Sequence, residues 1–211
     1  MHYIFFYITF VLTYWIGSLI TFMLDFIINY KRIINISKTE LLNEYKKVIP
    51  TVFFNLHIVS LFVFFVCSPF SNILNLQFNV FKMVFDIFCS IFMIDFFLFL
   101  SHKIMHRRIL YKWSHNVHHE LKNPVGFAAF YNHWFDFIFA VMLPAIYPAI
   151  ILSSHPYTAL ILMVLATTNA VFISHGGYDI KDKNHYLHHE KLNCNYGIGL
   201  YMDKLYGTEI N

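Results

Sequence analysis

Residues 80–120 read VFKMVFDIFCSIFMIDFFLFLSHKIMHRRILYKWSHNVHHE. The first 22 of these residues are predominantly apolar, the remainder are polar, and the border falls at His102. About 20 apolar residues of helix cross a hydrocarbon core, so the first part predicts a membrane span and the second a cap at its end. On either side, residues 3–24, 50–69, 134–153 and 157–174 are apolar over comparable lengths. The chain as a whole is 58% hydrophobic, 20% aromatic and 13% charged, too apolar for a soluble domain of its size. The predicted fold is an all-α, multi-pass transmembrane helical bundle of five spans with a histidine-rich cap, in a single membrane domain over residues 1–211. The first stretch has no basic leader and no small-residue cleavage pattern, so it predicts a retained helix. Ser37 and Glu40 have capping-box spacing, and Leu41, Leu42, Tyr45 and Val48 share one helical face, which predicts an amphipathic segment along the membrane surface.

Charge orients the spans. Fourteen of the 15 basic residues fall in three segments, Lys31 to Lys47, Lys103 to Lys122 and Lys181 to Lys204, each following an odd-numbered span. The loops at 70–79 and 154–156 carry none. Because Lys and Arg concentrate in cytoplasmic loops, the histidine-rich segments are expected to face the cytosol. The net charge of +3 is small and forms no basic stripe interleaved with aromatics, so nucleic acid is not an expected partner. Cys67, Cys89 and Cys194 suggest no disulfide framework.

Histidine carries the chemistry. Of 13 histidines, eleven lie between His102 and His189. HKIMH at 102–106, HNVHH at 115–119 and HYLHH at 185–189 repeat ring spacings of three and four residues, which on a helix put the rings on one face. Neutral imidazoles suit iron, zinc or copper, and three boxes offer more ligands than one ion can use. His133 enters and His175 leaves the hairpin formed by the last two spans, whose similar lengths return both to one membrane face. A lone His-x-x-x-His is more often a solvated face or a packed pair than a metal site, but ten histidines gathered at one membrane face are not explained that way. His2, His57 and His155 fall outside the pattern.

Over residues 90–208 the chain resembles the fatty acid hydroxylase superfamily, which includes sterol desaturases, sterol methyl oxidases and cholesterol hydroxylases. The resemblance rests on Asp95 seven positions before His102, LYKWSHNVHHE, NPVGFAAFYNHWFD, SHGGYD, and HYLHHEKLNCNYG followed by MDKLYGT. It implies that His102, His106, His115, His118, His119, His133, His175, His185, His188 and His189 hold two iron ions, which zinc can replace in purified protein. It further implies dioxygen as co-substrate, a sterol or fatty acyl lipid from the bilayer as substrate, and the endoplasmic reticulum as location. No dinucleotide fingerprint or haem module is present in the sequence, so electrons are expected from another protein, by resemblance cytochrome b5 with its NAD(P)H-dependent reductase. Lys103, Arg107, Arg108 and Lys112 could steer such an acidic donor. Lys103 stands where the family usually has Arg, Phe99 where it has an aromatic hydroxyl, Trp134 where Pro is frequent and Asp136 where Glu is commoner; the stretch between His175 and His185 is shortened.

Asp95 and Asp136 are the carboxylates expected to orient the ligand rings. Asp95 lies about 10 Å along the helix from His102, so its expected partner is His175 or His133 from a neighbouring helix. Glu120 and Glu190 read as solvated, and Asp86 pairs by spacing with Lys82. Alternative readings are a membrane zinc-binding or transport protein, which would favour ionisable residues midway through several spans, and an inactive relative with a structural metal.

Overall fold

A computed structural model describes residues 2–28, 36–69, 74, 76–121, 124–178, 183–199 and 201–210. Lys31, Arg32, Lys122, Lys181 and the segment 179–182 lie outside the described residues. The described residues form helices and turns with no strand. Among the described residues five helices are long and apolar enough to cross a membrane: α1 (Tyr3–Ile28), α2 (Lys38–Cys67), α3 (Val80–Met105), α5 (Trp134–Ile151) and α6 (Pro156–Ser174). Short helices α4 (Arg108–Trp113), α7 (Lys183–Lys191) and α8 (Met202–Leu205) belong to the cap. The spans measure roughly 27 to 45 Å at 1.5 Å per residue. Their outer surfaces are apolar: Phe5, Leu12 and Ile16 on α1 and Phe81, Phe85 and Phe88 on α3 are exposed, as lipid-facing side chains are.

The expected surface helix is instead the first half of α2. The capping box forms, with the Glu40 amide donating to Ser37 Oγ and the Ser37 amide to Glu40 Oε2. From there the helix runs on to Cys67 without a break. Its apolar face, Leu41, Tyr45, Val48 and Val52, is buried inside the bundle. Amphipathicity reports that one face is covered and not what covers it; here the cover is protein.

Four of the five spans contain a π-helical turn, at Leu24–Ile28, Asn55–Val59, Phe137–Met142 and Asn169–Ser174. Each holds or adjoins a polar residue: Asp25, Asn55, Asp136 and Asn169. The extra residue of a π turn rotates the face presented by the next stretch of helix, and such turns recur at functional sites. Asn55 uses its turn to reach the cap, its Nδ2 donating to the Phe130 and Asn132 carbonyls at 3.0 and 2.8 Å. From α1, Tyr14 stacks on Phe130 with centroids 4.6 Å apart and donates to the Phe127 carbonyl. Thr21 presses so closely on Gly126 that a Cβ there would overlap its hydroxyl, so only glycine fits. The first two spans thus clamp the segment 126–132 beneath the cap.

At the opposite end Lys82 grips Asp86 at 2.7 Å and donates to the Leu152 carbonyl at 2.9 Å, tying α3 to the α5–α6 hairpin. That hairpin returns residues 133 and 175 to the histidine face, as the lengths of its arms predict. Leu76, 74% exposed, and Lys204, in the tail, mark the two ends of the bundle. Cysteines introduced at Leu76 and Lys204 are expected to react with an impermeant thiol reagent from opposite sides of sealed vesicles, the parent chain serving as background. Reaction of both from one side overturns the topology.

Candidate metal centre

Nine histidines converge in two groups: His102, His106, His115, His119 and His188 in one, and His118, His175, His185 and His189 in the other, the candidate donor atoms of each group lying within 4.8 Å of one another. They come from the end of α3, the turn at His115–Glu120, the end of α6 and α7. In six of the rings Nδ1 is held from outside the cluster. His102 Nδ1 donates to the Tyr196 carbonyl (2.8 Å), His118 to Tyr131 (3.2 Å), His175 to Ala170 (2.8 Å), His188 to Cys194 (2.6 Å) and His189 to Leu121 (3.1 Å). His115 Nδ1 donates to Asp136 Oδ2 at 2.8 Å. A carbonyl can only accept, so the proton of each neutral ring sits on Nδ1 and the Nε2 lone pair is bare.

Those bare nitrogens face one another. In the first group Nε2 contacts link His106 to His188 (3.0 Å), His115 to His106 (3.1 Å), His119 to His115 (3.1 Å) and His188 to His119 (3.2 Å). Each contact has a bare nitrogen on one side, so the four contacts can share only the protons of His106 and His119. In the second group three contacts, at 3.4, 3.2 and 3.0 Å, all end on His185 Nε2, which carries one proton at most. His102 Nε2 is buried with no hydrogen-bond partner among the described residues. Lone pairs packed this closely repel unless a cation lies between them. Separations of 3.0–3.2 Å are those of adjacent corners of a shell about 2.1 Å in radius, the usual metal–imidazole bond length. The residues fit a metal ion in each group.

Burial, reinforced by the neighbouring rings, pushes His106 down to about 2 and His118 to about 4. Burial likewise brings His175 and His188 to about 3 and holds His119, His185 and His189 well below the usual imidazole range. These shifts favour the neutral form of the seven rings, the state in which imidazole binds metal.

The two carboxylates differ in what they touch. Asp136 holds one of the clustered rings directly, though that ring is His115 and not the neighbouring His133. Asp95 touches no histidine; it accepts the backbone amides of Ile198, Tyr201 and Met202 at 2.9, 3.0 and 3.0 Å. Asp203, in the MDKLYGT segment, accepts the amides of Tyr196 and Gly197 at 2.8 and 2.7 Å. Together they clasp the tail strap that presents the Tyr196 carbonyl to His102. The expected ring partner of Asp95 is therefore replaced by the backbone that holds a ring. A Cβ on Gly197 would lie 2.5 Å from Asp95 Oδ1, which is why glycine stands between the carboxylates.

His133 joins neither group. Its Nδ1 accepts the Phe135 amide at 3.4 Å, capping α5, and its ring lies against Trp113 with centroids 5.1 Å apart. His155 caps α6 in the same way, accepting the Tyr157 amide. His57 lies between α1 and α2, where the Trp15 indole donates to its Nε2 at 3.2 Å and Tyr7 meets its Nδ1 at 3.1 Å. The carbonyl partners of the rings left no sequence signal, since any residue supplies a carbonyl.

From the histidines a cavity of about 660 Å³ runs into the bundle, with His102, His118 and His175 at one end and Tyr3, Cys67 and Leu74 at the other. The fatty acid hydroxylase family model matches residues 87–208. The chain belongs to the fatty acid hydroxylase family. Among relatives of this family member, "Fatty acid hydroxylase domain-containing protein 2" of Homo sapiens is 32% identical over 115 residues, 53% of this chain and 34% of that protein. "Methylsterol monooxygenase 2-2" of Arabidopsis thaliana is 30% identical over 130 residues, 54% of this chain and 48% of the relative. "Fatty acid hydroxylase ahd1" of Mycosarcoma maydis is 27% identical over 186 residues, 81% of this chain and 47% of the relative. The chain thus spans about a third to a half of the length of these curated relatives. No solved structure matches it.

The ligand assignment of this hydroxylase-family centre separates two variants. Asp136→Asn removes the charge that holds His115 and is expected to weaken metal affinity about 10- to 100-fold, whereas His133→Ala leaves metal content unchanged. Metal analysis after dialysis measures both, and equal loss in the two variants overturns the assignment. The pH dependence has a definite sign. Unfolded imidazoles take up protons below about pH 6.5 while the folded cluster refuses them, so the metal-depleted protein is expected to lose thermal stability as pH falls from about 6.5 toward 4 and to change little above it. A flat melting profile between about pH 8 and 5 would mean that the rings are solvated.

Proposed function

We propose that the protein is a membrane-bound non-haem di-iron oxidoreductase that uses dioxygen to hydroxylate or desaturate a sterol or fatty acyl lipid. The observation that carries this reading is the pair of bare-nitrogen groups at the head of an apolar cavity set among membrane spans. Iron held there would supply what no side chain can, activation of dioxygen for attack on an unactivated C–H bond. The chain's own residues do the rest. His102, His106, His115, His119 and His188 would hold one ion, and His118, His175, His185 and His189 the other. Backbone carbonyls and Asp136 keep Nε2 unprotonated, and the apolar walls admit lipid while excluding bulk water. The methylsterol monooxygenase and fatty acid hydroxylase relatives support oxidation of a lipid.

Reducing equivalents come, in this reading, from cytochrome b5 and its NAD(P)H-dependent reductase. Arg107, Arg108 and Lys112 lie at the surface beside the first two boxes and suit an acidic donor. The alternation of basic and neutral loops supports a cytosolic centre, and the family resemblance an endoplasmic reticulum membrane.

Anaerobically purified protein is expected to contain iron and to consume dioxygen when given cytochrome b5, its reductase, NADPH and a lipid extract. Mass spectrometry should find a lipid that has gained one oxygen or lost two hydrogens. Zinc alone in anaerobic preparations, with no uptake after iron reconstitution, would instead support a zinc-binding membrane protein.

A further inference from the structure

Helix α4 (Arg108–Trp113) divides its six residues among three directions. Leu110 and Tyr111 are half-buried, and the Tyr111 ring lies against His106 and His119 with centroids 5.4 and 5.7 Å apart. Ile109 and Trp113, four residues apart and therefore on one helical face, are 82% and 51% exposed. Arg108 and Lys112 have the same spacing and form a second exposed face beside it. Neither pairs with a carboxylate among the described residues.

The apolar face does not stop at α4. Trp113 packs on Phe135 with centroids 4.9 Å apart and lies 6.5 Å from Trp134, which is 46% exposed. Phe135 in turn meets Phe139 at 4.4 Å, an exposed ring on the outside of span α5. An apolar strip therefore runs from Ile109 in the cap to the lipid-facing side of the bundle. Its height is set at both ends. Helix α4 begins three residues after Met105, the last residue of α3, and its final residue touches the first turn of α5. Both ends of α4 thus lie where spans leave the hydrocarbon, the level at which tryptophan concentrates in membrane proteins.

We propose that α4 lies in the headgroup layer of the bilayer, with Ile109, Trp113 and Trp134 in the upper acyl region and Arg108 and Lys112 on the phosphates of anionic phospholipids. A short helix with an apolar aromatic face and a basic polar face binds a membrane surface in this way, and each basic residue near an anionic surface adds attraction. An acidic protein would match the two charges, but the apolar strip runs unbroken into a surface of α5 that lipid already covers. Lipid satisfies both faces of α4 at once. The inference goes beyond the oxidase reading and holds whatever the chemistry of the centre; an acidic electron donor then meets the cap away from Arg108 and Lys112. Because Tyr111 is the inner side of the same helix, the bilayer holds the element that covers His106 and His119.

Tryptophan fluorescence measures the depth. The sequence has three tryptophans, Trp15, Trp113 and Trp134, so a Trp15→Phe/Trp134→Phe variant carries Trp113 as its single reporter. In nanodiscs of phosphatidylcholine and phosphatidylglycerol, its emission is expected to be quenched more by phospholipids brominated near the headgroup end of the acyl chain than by those brominated near the methyl end. It is also expected to resist acrylamide in the aqueous phase. Quenching by acrylamide without quenching by the brominated lipids overturns the proposal; if the soluble haem domain of cytochrome b5 then shields Trp113 from acrylamide, the face belongs to a protein partner instead. Lipid retention tests the charges in a chain that keeps all its tryptophans, and decides alone if the double tryptophan variant does not fold. Protein taken into mild detergent from mixed phosphatidylcholine and phosphatidylglycerol membranes is expected to keep phosphatidylglycerol above its bulk share, read by lipid mass spectrometry. The Arg108→Gln/Lys112→Gln variant is expected to keep severalfold less. Equal retention in the parent and this variant overturns the headgroup assignment.

Discussion

The cap is organised around the placement of protons on imidazole rings. A neutral histidine has one N–H and one lone pair, and a hydrogen bond to the N–H decides which nitrogen is left bare. Five backbone carbonyls and Asp136 fix that choice in six rings. The consequence is a buried assembly of lone pairs with too few protons to neutralise their mutual repulsion. Such an assembly is costly on its own and becomes favourable around cations, so the architecture that orients the rings also suits them to hold metal.

The carbonyls must in turn be held still. Tyr196 is positioned by the paired carboxylates of Asp95 and Asp203, which accept five backbone amides of the tail between them. Tyr131 is flanked by Phe130 and Asn132, whose carbonyls are taken by Asn55. Asp95 and Asn55 lie in membrane spans, where a polar group is retained only with partners; both find them in the cap's backbone. The spans therefore do more than anchor the centre, because their few buried polar residues are the posts to which its loops are tied.

Part of this support comes from outside the region that matches the family. Tyr14, Thr21 and Asn55 precede residue 87, yet they clamp the segment between the second histidine box and α5. Asp25 extends the same buttress to the turn after His175, accepting hydrogen bonds from the hydroxyls of Tyr45 and Tyr178 at 2.7 and 2.8 Å. A centre assembled from four separated segments needs such an external frame, since no single helix carries enough of the rings to orient the rest.

Membrane class, the five spans, the face at which the histidines gather and nine of the rings that meet there are all legible in the residues alone, because hydrophobic length and ring spacings of three and four are local properties. The Lys82–Asp86 pair and the capping box at Ser37 are legible for the same reason. Packing between distant segments settled the rest: the amphipathic face of Leu41 and Tyr45 lies against protein, His133 caps a helix while His175 enters the cluster, and Asp95 reaches the rings through the Tyr196 carbonyl. Pattern shows that a face is covered or that a polar group needs a partner. Which partner it meets depends on backbone atoms that every residue carries alike, and their positions are set only when the chain has folded.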